Sequence, residues 1–369
     1  MGTIYTTQDT FSIPAPVSSL TLGHVGQLYA GSDDGSLRVY DLSTNKVSKA
    51  IRGLSGEVSS IICVKRPGSE LRDAWIAHGR MISRFKLDTK KMIQTLDDAL
   101  VSLTVGETKD RSSQPGLKLA LNGNKSHLAF GLDSGVVGLV ELGKKEICSS
   151  VQFISDRGNE LVSAGYDHFV KHLDFIKDEF ISGIQMDDST LAAPENGISF
   201  SPPFVLSTAF SPSGVFAIGT ADGRLGVFFG GERSTAPLKK KPKRWPGLST
   251  AEMLLLKVAD GPIVAVSFSQ ARVLTISTML GVLTQYELIY DAQDDQGQAL
   301  LKQLWQGDVK TIEKVNAMLV DERRIIVGGL SKDGKGVIEV WKKGGASIAA
   351  VPEAPLPEEQ TPAKEEGEN

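Results

Sequence analysis

The chain has 369 residues, 41% hydrophobic and 23% charged, and a net charge of −4 at neutral pH. Six Glu and one Lys fall within 346–369, which leaves +1 on the rest. A body so near neutral lacks the basic excess of a dedicated nucleic-acid binder, and with no apolar run of 18 residues a helical membrane span is excluded. The only cysteines, Cys63 and Cys148, sit in apolar strand patterns and read as reduced, buried thiols. The start, MGTIYTTQDT, has neither the basic region nor the apolar core of a leader, and its Gly2 context is not that of a myristoylation site. A soluble protein of the nucleus, the cytoplasm or both is expected.

Residues 3–12, TIYTTQDTFS, alternate like a strand placed ahead of the first repeating unit. That unit is VSSLTLGHVGQLYAGSDDGSLRVYDL: an aliphatic strand at 17–22, a small apolar strand at 28–32 and an alternating strand at 36–42. Between the last two lies Gly31-Ser32-Asp33-Asp34-Gly35, where Asp bonds its own backbone and Gly supplies positive φ. With a fourth, outer strand near 47–51, one unit cannot bury both its faces, so copies are required.

Copies recur downstream. A Gly-ended strand, an Asp-containing turn and a closing strand return at Gly131-Leu132-Asp133-Ser134-Gly135, at Gly165-Tyr166-Asp167-His168 and at Gly219-Thr220-Ala221-Asp222-Gly223. Weaker copies stand at Ala77-His78-Gly79, at 278–281 and at 328–336, making seven units spaced roughly 35 to 60 residues apart. The third and fourth units crowd each other. EICSSVQFISDRGNELVSAG must hold an outer strand and the next inner strand, yet has room for about one and a half; either the third unit lacks a full outer strand or residues are missing from the sequence. The fifth unit, 205–258, carries the insertion GGERSTAPLKKKPKRWPGLST after Phe229, and the sixth, 263–305, has a long connection at 290–298. The last, 312–341, offers three strands, which asks for residues 3–12 to complete it. Beyond 346 the Pro, Ala and Glu content predicts a disordered acidic tail.

The pattern resembles the WD-repeat family, whose third strand ends in Trp-Asp; here Tyr40-Asp41, Leu173-Asp174 and Tyr286-Glu287 hold that place. The segments LYAGSDDGSLRVYDL, HLAFGLDSGVVGLVELGKKEICSSVQF, ELVSAGYDHFVKHLDF and GVFAIGTADGRLGVFF are most similar to the WD repeat-containing protein 53 family. The resemblance covers about Val17 to Trp341 and implies an all-β, seven-bladed propeller; with the tail read from composition, the domains expected are a propeller over 1–344 and a disordered acidic tail over 345–369. It also implies a scaffold that binds other proteins, alone or within a complex.

Chemistry is sparse. The histidines His24, His78, His127, His168 and His172 lie in five different turns or strands. His168 and His172 share a strand face but sit about 13 Å apart, too far for one metal. The recurrent turn residues Asp34, Gly35, Asp133, Gly135, Asp167, Asp222 and Gly223 are assigned to folding. No catalytic constellation, metal, cofactor or small-molecule substrate is read, and no enzyme is expected. Lys239, Lys240, Lys241, Lys243 and Arg244, held extended by Pro242, resemble a short nuclear-import signal that an import receptor reads. A solvated loop, or a phosphate contact with nucleic acid or anionic lipid, is the alternative for this run. The family resemblance also implies a substrate receptor of a cullin-RING ubiquitin ligase, docking through Trp-Asp-any-Arg. The nearest match is Tyr40-Asp41-Leu42-Ser43, and Arg is absent from the fourth place in every unit.

Overall fold

The structure, a computed structural model, describes residues 4–23, 26–65, 72–105, 117–121, 127–131, 137–141, 152–154, 157, 159–177, 179–186, 201–232, 244–290 and 299–344. The chain opens on β1 (Tyr5–Ile13), then builds a first sheet from β2 (Val17–Leu22), β3 (Gln27–Ser32), β4 (Leu37–Asp41) and β5 (Lys46–Ile51). The second sheet comprises β6 (Val58–Lys65), β7 (Arg72–His78), β8 (Met81–Lys86) and, after the short β9 (Ile93–Gln94), β10 (Val101–Thr104). β9 leaves this order and pairs in parallel with β5 of the first sheet. The third sheet has β11 (Lys118–Leu121), β12 (His127–Gly131) and β13 (Val137–Glu141). Next come β14 (Gln152–Phe153), β15 (Glu160–Ala164), β16 (Phe169–Asp174) and β17 (Glu179–Gln185). The fifth holds β18 (Val205–Phe210), β19 (Phe216–Thr220), β20 (Arg224–Phe228) and β21 (Met253–Lys257). The sixth holds β22 (Ile263–Gln270), β23 (Val273–Thr278), β24 (Val282–Tyr290) and β25 (Ala299–Asp308). Last come β26 (Lys314–Val320), β27 (Arg324–Leu330) and β28 (Gly336–Lys343).

β1 fills the fourth place of this last sheet, antiparallel to β28 from Tyr5↔Lys343 to Ile13↔Gly336. Among the described residues the all-β propeller thus shows six complete blades rather than the seven expected. The third sheet has three strands among the described residues, and ten residues lie between the end of β13 and the start of the next inner strand, β14. The expected tail, 345–369, lies outside the described residues.

Apart from the β5–β9 pair the strand pairings are antiparallel, and sheets with apolar residues on both faces must be sandwiched. Tyr29, Leu37, Val39 and Ile51 of the first sheet pack with Val58, Ile61, Ile76 and Phe85 of the second. The same arrangement joins the fifth and sixth sheets through Leu225, Val227, Ile263 and Ile276. Gly31 and Gly219 explain the Gly-ended second strands, since a Cβ on Gly31 would collide with Val58 and one on Gly219 with Ile263. Each is where the following inner strand presses against its neighbour.

The inner strands line a central channel of about 270 Å³. They fan apart there and form no shared ladder, so side chains bond the backbone across each gap. Ser18 and Ser19 donate to the Val58 carbonyl, the former at 2.9 Å, and Thr21 donates to Ile61 at 2.7 Å. Ser59 Oγ donates to the Leu117 carbonyl at 2.8 Å and accepts the Leu117 amide at 3.0 Å. Gln152 reaches Thr208, Ser207 reaches Ile263 and Asn316 reaches Val17 in the same way. The crossings between sheets are bonded to the turns joining second and third strands, as in Leu54 N–H to the Gly35 carbonyl and Val258 N–H to Gly223. These turns and crossings therefore share one face, called upper here, and the other connections share the lower face.

β1 also seals the gap to the sixth sheet. Tyr5 is buried, its ring lies 5.1 Å from Trp305, and its hydroxyl accepts from Gln285 Nε2 at 3.2 Å. Removing residues 1–13 bares the whole β28 edge and uncovers Trp305 and Trp341. The truncated chain is expected to melt at least 10 °C lower, a loss of several kcal/mol, in a thermal scan. An unchanged midpoint would show that β1 does not close the ring.

Candidate interaction site

The most elaborate surface feature is the insertion between β20 and β21, which emerges on the lower face. Residues 233–243 lie outside the described residues, and with them Lys239, Lys240, Lys241 and Lys243. Both stems are fixed. On the first, Phe229 N–H donates to the Glu252 carbonyl, and Glu232 pairs with Arg272 at 2.9 Å. On the second, Trp245 is 5% exposed and wedges between the fourth and fifth sheets, against Phe210, Phe216 and, edge-on, His172. Gly231 and Gly247 lie so close to the indole that a Cβ on either would overlap it.

A buried carboxylate holds this wedge. Glu160 Oε2 accepts the Trp245 backbone N–H at 2.8 Å and meets His172 Nε2 at 3.0 Å, while Oε1 lies 3.6 Å from Arg157. Burial lowers the His172 pKa and Glu160 opposes the shift, with a net downward result. The imidazole is therefore neutral near pH 7 and donates from Nε2. Arg244, one residue before the wedge, donates Nη2 to both oxygens of Glu179 at 2.7 and 2.6 Å. Glu179 accordingly raises the Arg244 pKa. Of the five cations in the import-like run, Arg244 is thus engaged by the propeller body.

On the upper face the turn acids bond their own turns. Asp34 accepts the Ser36 amide at 3.0 Å and its hydroxyl at 2.6 Å, with Gly35 at φ 71°. Asp167 accepts the Phe169 amide at 3.3 Å and Lys171 Nζ at 2.6 Å. Asp222 accepts from Thr220 and, at 2.5 Å, from Arg224 Nε, with Gly223 at φ 83°. Asp133 and Gly135 lie outside the described residues, as do His24 and Cys148. His168 takes a left-handed φ of 58° with its ring 4.8 Å from Phe204. Cys63 is a free, half-buried thiol pushed up to about 12 by burial. Among the described residues no group of three His, Cys, Asp or Glu could hold a metal ion.

The pair suggested for adaptor docking is turned to internal work. Tyr40 is buried, with its ring 5.1 Å from Phe11. Asp41 Oδ1 accepts the Ser43 hydroxyl at 2.6 Å and the Ser43 amide at 2.8 Å, which lowers its pKa. The channel offers little more, since the hydroxyls of Ser18, Ser19, Thr21, Ser59 and Ser207 are spent on carbonyls of the next sheet.

Several polar centres have no clear sequence signature. His78, wholly buried, accepts the Ser55 amide at Nδ1 (3.2 Å), so Nε2 carries the proton and donates to Ser83 Oγ at 2.9 Å. His78 thus ties the crossing at Ser55 to β8. Glu339, also wholly buried, accepts the Lys310 and Thr311 amides at 2.8 and 2.6 Å and the Trp341 indole N–H at 3.1 Å. The signal available beforehand was weak: a lone acid or histidine inside an apolar strand, which requires a partner if buried.

A family model for the WD40 repeat (WD domain, G-beta repeat) matches residues 6–41. That span covers β1 through β4, so the matched unit begins with the outer strand of one blade and continues into the next. Sequence repeat and structural blade are offset by one strand. Over those residues the chain is similar to the WD40 repeat, and the sheets around it are arranged as a β-propeller.

Burial depresses His78 from 6.5 to about 4. The unfolded chain takes up this proton first on acidification. Stability contributed by neutral His78 is complete above pH 6.5, falls between 6.5 and about 4, and is gone below. The loss is about 3 kcal/mol at most. Urea midpoints measured across this window should fall in the wild type and flatten in His78→Gln, apart from the contribution of His172.

Proposed function

We propose that this propeller is a non-catalytic protein-interaction scaffold, with its basic insertion serving as a recognition segment for an import receptor. One observation supports the second part most directly: Trp245, two residues after Lys243 in the sequence, is buried on Glu160 and His172, which gives the insertion a fixed stem. WD40 domains typically bind other proteins, and loops on a rigid frame are where such binding resides. The closer resemblance to the WD repeat-containing protein 53 family favours a ubiquitin-ligase substrate receptor as the alternative. Burial of Tyr40 and capture of the Asp41 carboxylate by Ser43 weigh against docking through that pair.

The test is a quadruple variant, Lys239→Ala, Lys240→Ala, Lys241→Ala and Lys243→Ala, which spares Arg244 and Trp245. Its melting temperature should match the wild type, its affinity for a purified import receptor should fall at least tenfold, about 1.4 kcal/mol, and it should accumulate in the cytoplasm. An unchanged distribution would return the run to a solvated loop. Loss of RNA or DNA binding without redistribution would favour the nucleic-acid alternative.

A further inference from the structure

We infer that the central channel is a binding site for a small monocarboxylate with a short apolar body. The inner strands ring the axis in the order β2, β6, β11, β14, β18, β22 and β26, and the cavity between them measures about 270 Å³. Sites for drug-sized ligands run to about 300–1,000 Å³, so this one selects a smaller guest.

The hydroxyls of Ser18, Ser19, Thr21, Ser59 and Ser207 are spent on neighbouring carbonyls, but the remaining donors are grouped. Lys118, on β11, places Nζ 3.4 Å from the Ser59 carbonyl. An ammonium carries three hydrogens, so it can hold a guest while keeping a neighbour. On the strand before it, Ser60 Oγ accepts the Leu119 amide at 3.0 Å and keeps its own hydrogen for a further acceptor. On the strand after it, Gln152 Nε2 gives one hydrogen to the Thr208 carbonyl at 2.9 Å and has a second. Thr208, on β18, adds a hydroxyl to the lining. Donors thus run along an arc of four consecutive strands.

The other arc differs. β22 and β26 line the cavity with Val264, Ala265, Val266, Ala317 and Met318, and Asn316 beside them is bound to the Val17 carbonyl at 2.8 Å. Among the described residues the lining holds one cation, Lys118, and no carboxylate. Charge and surface together decide the guest. A single positive charge is balanced by a monoanion, whereas a phosphate monoester brings about −1.5 to −2 near pH 7. An inorganic anion gains nothing from the apolar arc, and an uncharged apolar molecule gains nothing from Lys118. A carboxylate head on the donor arc, with a chain of a few carbons against Val264, Val266 and Met318, uses both. The site lies inside the ring, apart from the loops, so it stands or falls separately from the scaffold reading.

The test titrates the full chain with hexanoate, read by saturation-transfer NMR, with hexanol, hexylamine and inorganic phosphate as comparisons. Hexanoate should saturate with a dissociation constant below about 1 mM. Hexanol should bind at least tenfold more weakly, and hexylamine should not bind. Lys118→Met should lower the affinity for hexanoate at least tenfold with the melting temperature unchanged, and Lys118→Arg should keep it. Val264→Trp, which fills the cavity, should abolish binding. Equal binding of hexanol and hexanoate would overturn the inference, as would an affinity that Lys118→Met leaves unchanged. The absence of saturation at about 10 mM hexanoate would do the same. Phosphate binding more tightly than hexanoate would overturn the assignment to a carboxylate.

Discussion

The structure depends on side-chain bonds that join one inner strand to the next around the channel. Inner strands converge on the axis at angles that forbid a shared ladder, so backbone groups facing the gaps would be orphaned in a semi-buried place. An orphaned carbonyl there costs about 1–3 kcal/mol. Ser18, Ser19, Thr21, Ser59, Ser207 and Asn316 answer it with short donors that reach one strand over. This use of the inner strands leaves those channel hydroxyls already committed.

Closure follows from the same geometry. A ring of sheets has no tolerance for a missing strand at its seam, and the offset between repeat and blade places β1 there, with Tyr5 against Trp305. Within the blades buried carboxylates act as local clasps. Glu339 gathers the crossing into the last sheet, and Glu160 ties His172 and the Trp245 stem together. These sites are satisfied by several donors each, the condition under which a buried charge is tolerated.

Much of the architecture was legible because turn chemistry is local. Asp34-Gly35 and Asp222-Gly223 each announce a turn that any four-residue window reveals, and their spacing discloses the repeat. The shortage of residues between the third and fourth units was legible as simple length, and it falls where the described residues give three strands instead of four. The site was far less legible. Nothing near Lys239 announces that Trp245 is a wedge rather than an exposed aromatic, because its partners His172 and Glu160 lie 73 and 85 positions earlier in the chain. The pairing of Arg244 with Glu179 is hidden for the same reason. Tyr40 looked like a docking residue in sequence, whereas the β1 strand that covers it comes from the neighbouring blade.

A propeller held by polar bonds across its inner gaps makes a rigid frame for the loops. Urea unfolding of Ser59→Ala tests this most directly, since that hydroxyl both donates to and accepts from Leu117. The account predicts a loss of about 2–3 kcal/mol with two backbone groups orphaned at once. A loss under about 0.5 kcal/mol, the scale of an ordinary surface substitution, would contradict it and leave apolar packing alone as the bond between blades.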